Sequence, residues 1–402
     1  MNDSPASGTR SKARREAIAR ASFLFVGLAF GVLLAEAAVR GFTRFGTEAG
    51  RRIRARDPFA AIYEPFGNFG YRPTPGKIER FPNGTHAVYN AMGFRGPLVK
   101  LEKPAETYRI VFLGGSTAVG FGANDDETID AHMRRMLHAR YPGLCFEVVN
   151  LALGGYDSYQ DYERMRVDGT RLSPDLVIIH SGINDVRNAG YPNLRQPPPD
   201  PRTLIWESVM ARMRDEALHG TSLWTQAKHY SYLARVPGYV LELARQRQGL
   251  ETIRTVEPQD DAVDYFQTNV SRTIELGRQS GAAILLSTPP SALSARNKPT
   301  DPVEKSYWIK DAGTTEAYRL RLEARMVEIA QKWSADGEPV HHVAHKLPPE
   351  QFLDDAHLRA AGNETVARNL AEAADPYVRA AAPATAVGQA RCTTPERSEG
   401  NG

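Results

Sequence analysis

The chain has 402 residues, 42% hydrophobic and 24% charged, which suits a sizeable core in one large domain with insertions or in two domains. A formal net charge of +3, with much of the positive charge in the first 56 residues, gives no reason to expect nucleic acid as a partner. The two cysteines, Cys145 and Cys392, make neither a disulfide framework nor a metal motif; Cys145 reads as a small buried hydrophobe in a strand, and Cys392 lies in a tail.

Residues 1–20 are polar and basic, with Arg10, Lys12, Arg14, Arg15 and Arg20. Residues 21–39 are apolar except for Glu36, and two readings fit them. In one they are an uncleaved membrane helix, just long enough to span. In the other they are a signal peptide with Ala35-Glu36-Ala37 as an A-x-A cleavage site. Both leave the basic end in the cytoplasm and send the remainder across the membrane. The anchor is the expectation carried forward, with secretion after cleavage as its alternative.

Residues 40–105 are rich in Arg, Pro, Gly and aromatic side chains without clear periodicity, and form an N-terminal extension expected to pack on the main domain. Arg51, Arg52, Arg54 and Arg56 suit lipid headgroups or a solvated face equally. A domain over residues 106–380 follows, in which short apolar strands alternate with helices, the pattern of a parallel sheet covered on both faces. Strands are predicted at 109–113, 146–150, 176–180 and 283–287, with a fifth around 340–343. Helices are predicted near 127–140, 159–171, 260–280, 312–334 and 357–372. About a hundred residues separate the third and fourth strands. Their core is a helical insertion over about 190–258, opening on a proline-rich loop and continuing in amphipathic stretches near 203–218 and 222–247. Lid and structural cap are equally good readings of it. Residues 291–311 read as a second loop near the site, and 381–402 as a disordered tail.

Each early strand ends in a polar loop. Gly114-Gly115-Ser116 follows the first, Gly154-Gly155-Tyr156-Asp157-Ser158 the second, and Ser181-Gly182-Ile183-Asn184-Asp185 the third. In a parallel sheet these loops share one edge. Near the end of the chain, Asp354-Asp355-Ala356-His357 precedes a helix. A serine hydroxyl becomes a nucleophile when a base takes its proton, a role open to His357. Asp354 is placed to accept the other imidazole N–H and fix the tautomer. The N–H groups of Ser116 and Gly155 and the Asn184 amide are candidate donors to an oxyanion. His341, His342 and His345 suggest zinc, but no H-E-x-x-H helix is present and a structural role is favoured.

These blocks, in this order, resemble the SGNH (GDSL-like) hydrolase family, over residues 107–186 and 340–372. Ser116 matches the first block, Gly155 the second, Asn184 the third, and Asp354 and His357 the D-x-x-H of the last. The stretch from Gly-Phe-Arg-Gly-Pro to Arg-Ile-Val-Phe-Leu-Gly-Gly-Ser-Thr also looks like a bacterial envelope subgroup with an N-terminal membrane segment. The resemblance implies an α/β, flavodoxin-like three-layer α/β/α sandwich around a central parallel sheet. It further implies ester hydrolysis or acyl transfer with no metal or organic cofactor. Gly115 stands where the family usually has aspartate, a departure that leaves the serine in place. The expected substrate is an acyl or acetyl ester on an envelope glycan or lipid. An O-acyltransferase with the same triad and a non-catalytic glycan-binding envelope protein are the rival readings.

Overall fold

The computed structural model describes residues 6–45, 62–66, 70–81, 83–189, 223–240, 261–294, 312–336 and 340–381, with isolated positions at 47, 49–50, 53 and 258. The proline-rich loop, the helical stretch expected near 203–218, most of the loop at 291–311, Arg51, Arg52, Arg54, Arg56, Cys392 and the tail after residue 381 lie outside the described residues. The chain forms two compact units. One holds residues up to 61 together with 221–251, and the other holds 62–220 and everything from 252 onward.

In the first unit, α1 (Ala6–Arg44) is a 39-residue helix. Its apolar window is entirely unburied, and Phe23, Leu24, Phe25, Leu28 and Leu33 are among its exposed side chains. The only other α-helix bounded in this unit lies in the insertion, so the described part of the insertion groups with the N-terminal helix.

The second unit begins with two short antiparallel hairpins, β1 (Tyr63–Phe66) with β2 (Gly70–Pro73), and β3 (Ile78–Arg80) with β4 (His86–Val88). Next come β5 (Thr107–Gly114), α2 (Ser116–Val119), α3 (Ile129–Arg140), β6 (Cys145–Asn150) and α4 (Ser158–Val167). β7 (Leu176–His180) and α5 (Ile183–Asn188) lead to the insertion, whose helix α6 spans Leu223–Tyr230. After it come α7 (Ala262–Gln279), β8 (Ala283–Ser287), α8 (Ala312–Ala335), β9 (Val340–Val343) and α9 (Ala360–Ala381). The five long strands make one parallel sheet in the order β6-β5-β7-β8-β9. Counted along the sheet this is 2-1-3-4-5, the flavodoxin-like order, and its switch point lies between β5 and β7. Ligands of such sheets bind beyond the strands' carboxyl ends at that crevice.

Side chains alternate across a strand, so the apolar runs feed two cores. Val111, Leu113, Val149, Val177, Ile179, Ile284 and Leu286 pack with Met165, Phe266, Ile274, Leu322 and Met326 from α4, α7 and α8. Ile110, Phe112, Val148, Ile178 and Leu285 pack with Met133, Leu137, Val366 and Leu370 from α3 and α9. Three layers result. Two details differ from the sequence expectation. Cys145 is disulfide-bonded rather than a free buried hydrophobe, and the chain's one other cysteine is Cys392. α9 starts three residues later than expected, because Phe352 bridges Leu358 and the Arg359 N–H donates to the Gln351 carbonyl, holding 357–359 in an extended bridge. It then runs through Pro376 to residue 381, past the expected end at 372.

Arg109 enters the sheet as a fully buried cation. Its guanidinium meets Glu147 Oε2 at 2.6 Å and donates to the carbonyls of Lys100, Leu101 and Leu172 at 2.7, 3.1 and 2.6 Å. Removing one partner of such a buried pair leaves the other uncompensated. The Arg109→Ala substitution is therefore expected to cost about 3–5 kcal/mol, measured by denaturant unfolding of purified protein; a change below 1 kcal/mol, within the range of surface substitutions, would refute this.

Candidate active site

The turn after β5 has little room for side chains. Gly114 has φ +149°, and a Cβ there would lie 2.2 Å from the His180 carbonyl oxygen. At Gly115, the N-cap of α2, a Cβ would lie 2.3 Å from Asn184 Nδ2 and 3.0 Å from the Tyr156 carbonyl. In this backbone the space that a family-typical aspartate would occupy is filled by Asn184. Ser116 follows as the first residue of α2, where N–H groups have no intrahelical acceptor. It is half-buried.

Across the cleft, Asp354 Oδ1 accepts the N–H groups of Ala356 (2.9 Å) and His357 (2.7 Å), which closes a tight turn. Asp354 Oδ2 lies 2.7 Å from His357 Nδ1, and His357 Nε2 lies 2.8 Å from Ser116 Oγ. Burial alone would raise the Asp354 pKa. The hydrogen bonds from the His357 ring and from the two backbone N–H groups outweigh it and bring the carboxyl down to about 2. Asp354 is thus ionised across the neutral range, and three residue types expected from sequence form one connected chain. Phe121 lies against the imidazole with ring centroids 4.5 Å apart.

The loops after β6 and β7 are laced together. Asn184 Nδ2 donates to the Tyr156 carbonyl at 2.8 Å, one residue beyond Gly155, which has φ +80°. Asp185 accepts the Ser158 N–H and hydroxyl, and the Asn188 amide donates to Asp157 at 2.6 Å. Asp157 also caps α4 with a capping box completed by Gln160. Burial, and then the neighbouring Asp157 carboxylate, raise the pKa of Asp185. Asn150, at the end of β6, donates to the Ala118 carbonyl (3.0 Å) and to Asp130 (2.8 Å), tying α2 to the sheet.

Sequence reasoning missed the residues that brace these loops from the extension. Arg95, 3% exposed, donates to the carbonyls of Val119, Gly120, Ala123 and His86 at 2.8, 2.7, 2.6 and 3.0 Å, and to Asp125 at 2.8 Å. Asn83 donates to the Gly122 carbonyl at 2.7 Å, and Phe81 packs on Phe121 at 4.8 Å between centroids. Tyr71 donates to the Gly154 carbonyl at 2.8 Å, while the Tyr156 hydroxyl donates back to the Tyr71 carbonyl at 2.5 Å. The available signal was Gly93-Phe94-Arg95-Gly96-Pro97, an arginine held between turn glycines with φ +76° and +100°. The histidines weighed for zinc hydrogen-bond within the domain: His342 Nε2 lies 2.8 Å from Thr288 Oγ1, and His345 Nε2 lies 2.8 Å from Ser287 Oγ.

The close approach at residue 115 has a measurable consequence. A Gly115→Ala substitution forces Asn184 or the backbone aside and is expected to cost about 1–3 kcal/mol, as overpacking does. Thermal unfolding of the variant beside wild type checks this, and an unchanged or raised melting temperature would contradict it.

The profile of the GDSL-like lipase/acylhydrolase family matches residues 112–365. Among solved structures, the chain is similar to an acylhydrolase described as putative from Bacteroides fragilis, with 18% identity, 67% of this chain and 88% of that one covered, and a TM-score of 0.36. It is also similar to a GDSL-like lipase from Bacteroides thetaiotaomicron (18% identity, 69% and 92% covered, TM-score 0.34). A third is a catalytic mutant of an acetylxylan esterase from Geobacillus stearothermophilus (15% identity, 66% and 93% covered, TM-score 0.37). No curated protein matches the chain. The profile covers more than half of the sequence and includes every block described above: the chain belongs to the GDSL-like lipase/acylhydrolase family.

Proposed function

We propose that the protein is a serine esterase, tethered to a membrane by α1, that hydrolyses an acyl or acetyl ester on a cell-envelope glycan or lipid. The observation that carries the chemistry is the continuous line Ser116 Oγ, His357 Nε2, His357 Nδ1, Asp354 Oδ2, with separations of 2.8 and 2.7 Å. His357 takes the Ser116 proton as Oγ adds to the ester carbonyl carbon. Asp354 orients the ring and stabilises the imidazolium that forms. The carbonyl oxygen becomes an oxyanion received by the N–H groups of Ser116 and Gly155 and by the Asn184 amide. One N–H of that amide donates to Tyr156, and the other is left for the reaction. Collapse expels the alcohol, which takes the proton from His357. Water then repeats the sequence on the acyl-serine and releases the acid. Every proton in this cycle travels through His357, and no redox step is needed.

The envelope setting rests on three features: the long unburied apolar helix, the basic residues before it, and a disulfide at Cys145. Disulfides persist in oxidising compartments outside the cytosol. Acyl transfer to a sugar hydroxyl would use the same residues with another acceptor in place of water.

The test pairs wild type with Ser116→Ala on short p-nitrophenyl esters and a fluorophosphonate probe. Wild-type turnover should fall by roughly 10³-fold or more in Ser116→Ala, with loss of labelling. Folded wild-type protein that neither turns over ester nor labels would sink the esterase reading, and labelling without hydrolysis would favour the transferase. The depressed Asp354 pKa adds a pH dependence. Its stabilisation is complete above the unfolded carboxyl value of about 3.9 and fades as pH falls toward 2. Wild type should therefore lose more stability than Asp354→Asn between pH 5 and 2, read by chemical denaturation; parallel curves would argue against a paired, ionised Asp354.

A further inference from the structure

Glu36 interrupts an otherwise apolar segment near its end, where a lipid-facing carboxylate is costly unless paired. The structure gives it a receptor. The insertion segment Tyr230–Arg235 wraps the carboxylate: the Ser231 hydroxyl donates to Oε2 at 2.7 Å, the Leu233 N–H to Oε2 at 2.9 Å, and the Tyr232 N–H to Oε1 at 2.9 Å. Arg40, one turn along α1, donates to Oε1 at 2.6 Å and to the Tyr230 carbonyl at 2.7 Å, and its guanidinium lies 4.7 Å from the Tyr232 ring. Arg235 lies 4.7 Å from the same ring, and its guanidinium donates to the Lys228 and Ile53 carbonyls. Only 17% of the Glu36 side chain is exposed. Four donors on one carboxylate, two of them backbone N–H groups, make a built joint between two segments almost 200 residues apart.

The helix leading into this joint, α6, carries large apolar side chains that are exposed. Leu223, Ala227 and Tyr230 share a face at helical spacing, with Trp224 beside it. Leu223 is 84% exposed and Tyr230 75%, and Trp224 is also exposed. The joint fixes this stripe to the Glu36–Arg40 level of α1, the end of the apolar run, and Arg40, Arg44 and Arg235 add positive charge there. Trp and Tyr beside an apolar face with cationic neighbours is the composition of a bilayer's headgroup boundary.

We propose that Leu223–Arg235 is an interfacial collar, locked to the anchor by Glu36 and seated in the outer headgroup boundary of an anionic bilayer. The proposal rests on the membrane-anchor reading above. It also requires α1 to be retained, because cleavage after Ala37 would carry Glu36 away from its receptor.

The full-length chain is reconstituted in phosphatidylglycerol–phosphatidylethanolamine vesicles with Trp206, Trp308 and Trp333 replaced by Phe, leaving Trp224 as the sole tryptophan. Shallow nitroxide lipids should quench its emission at least about twofold more than nitroxides near the bilayer centre. Glu36→Ala should abolish most of this quenching while leaving the chain resistant to carbonate extraction, and Ser231→Ala should reduce it. Loss of the chain from vesicles on carbonate washing would defeat the anchor reading itself. A carbonate-resistant chain whose Trp224 is unquenched, or quenched equally without Glu36, would overturn the collar alone. Intact mass of the exported protein is the second readout: a chain beginning after residue 37 would also overturn it.

Discussion

The arrangement of the site depends on one buried cation. Arg95 spends its guanidinium on four backbone carbonyls and one carboxylate, and three of those carbonyls belong to the loop that follows Ser116. A loop that turns away from a strand and closes through a four-residue helix leaves carbonyl lone pairs that its own N–H groups do not fill. A planar group with five donors satisfies them from a single point, which an ammonium on a flexible stem cannot do. The guanidinium therefore fixes the path of the backbone between Ser116 and Phe121, and with it the ring that lies against His357.

Beneath the loops lie buried polar side chains. His180, at the end of β7, meets Ser287 at 2.8 Å, and Ser287 meets His345 at 2.8 Å. Burial, reinforced at His180 by His345 and at His345 by His342, lowers both imidazole pKa values, that of His345 to about 3, so both rings are neutral hydrogen-bonding spacers. On the other side Asp161 is buried close to Asp185 and Asp157, and burial together with these two neighbours raises its pKa well above the ordinary carboxyl value. The His180–Ser287–His345 hydrogen bonds favour one geometry, because breaking either leaves a buried polar group unmet. The loops around the proposed nucleophile stand on these buried polar groups as well as on the two apolar cores.

Much of this was legible in the sequence because it is written in short-range patterns. Buried parallel strands announce themselves as runs such as Leu176–His180, and glycines with positive φ or no room for Cβ mark Gly114, Gly155 and Gly182. Ser116, Gly155 and Asn184 follow β5, β6 and β7 around the switch point, and Asp354 and His357 reach Ser116 from the segment after β9. What escaped was long-range. The Gly93–Pro97 pattern marks a turn around Arg95 but not the carbonyls it reaches, and Glu36 finds its donors almost 200 residues away. The pairing of Cys145 was likewise hidden by its place in an apolar strand. The continuation of α9 past residue 372 was hidden by Pro376, whose missing N–H the long amphipathic helix tolerates because Ala371, Ala374 and Val378 stay buried around it.

Tyr71, Phe81, Asn83 and Arg95 all precede residue 112, where the match to the family profile begins. Segments flanking a shared domain are ordinarily free to drift or be exchanged, since the fold does not consult them. Here the flank supplies the partners of carbonyls on two loops of the site. The hairpins and the sheet are therefore a single heritable piece: a lineage that recombined at the edge of the family domain would import a serine and a histidine but not the backbone that aims them.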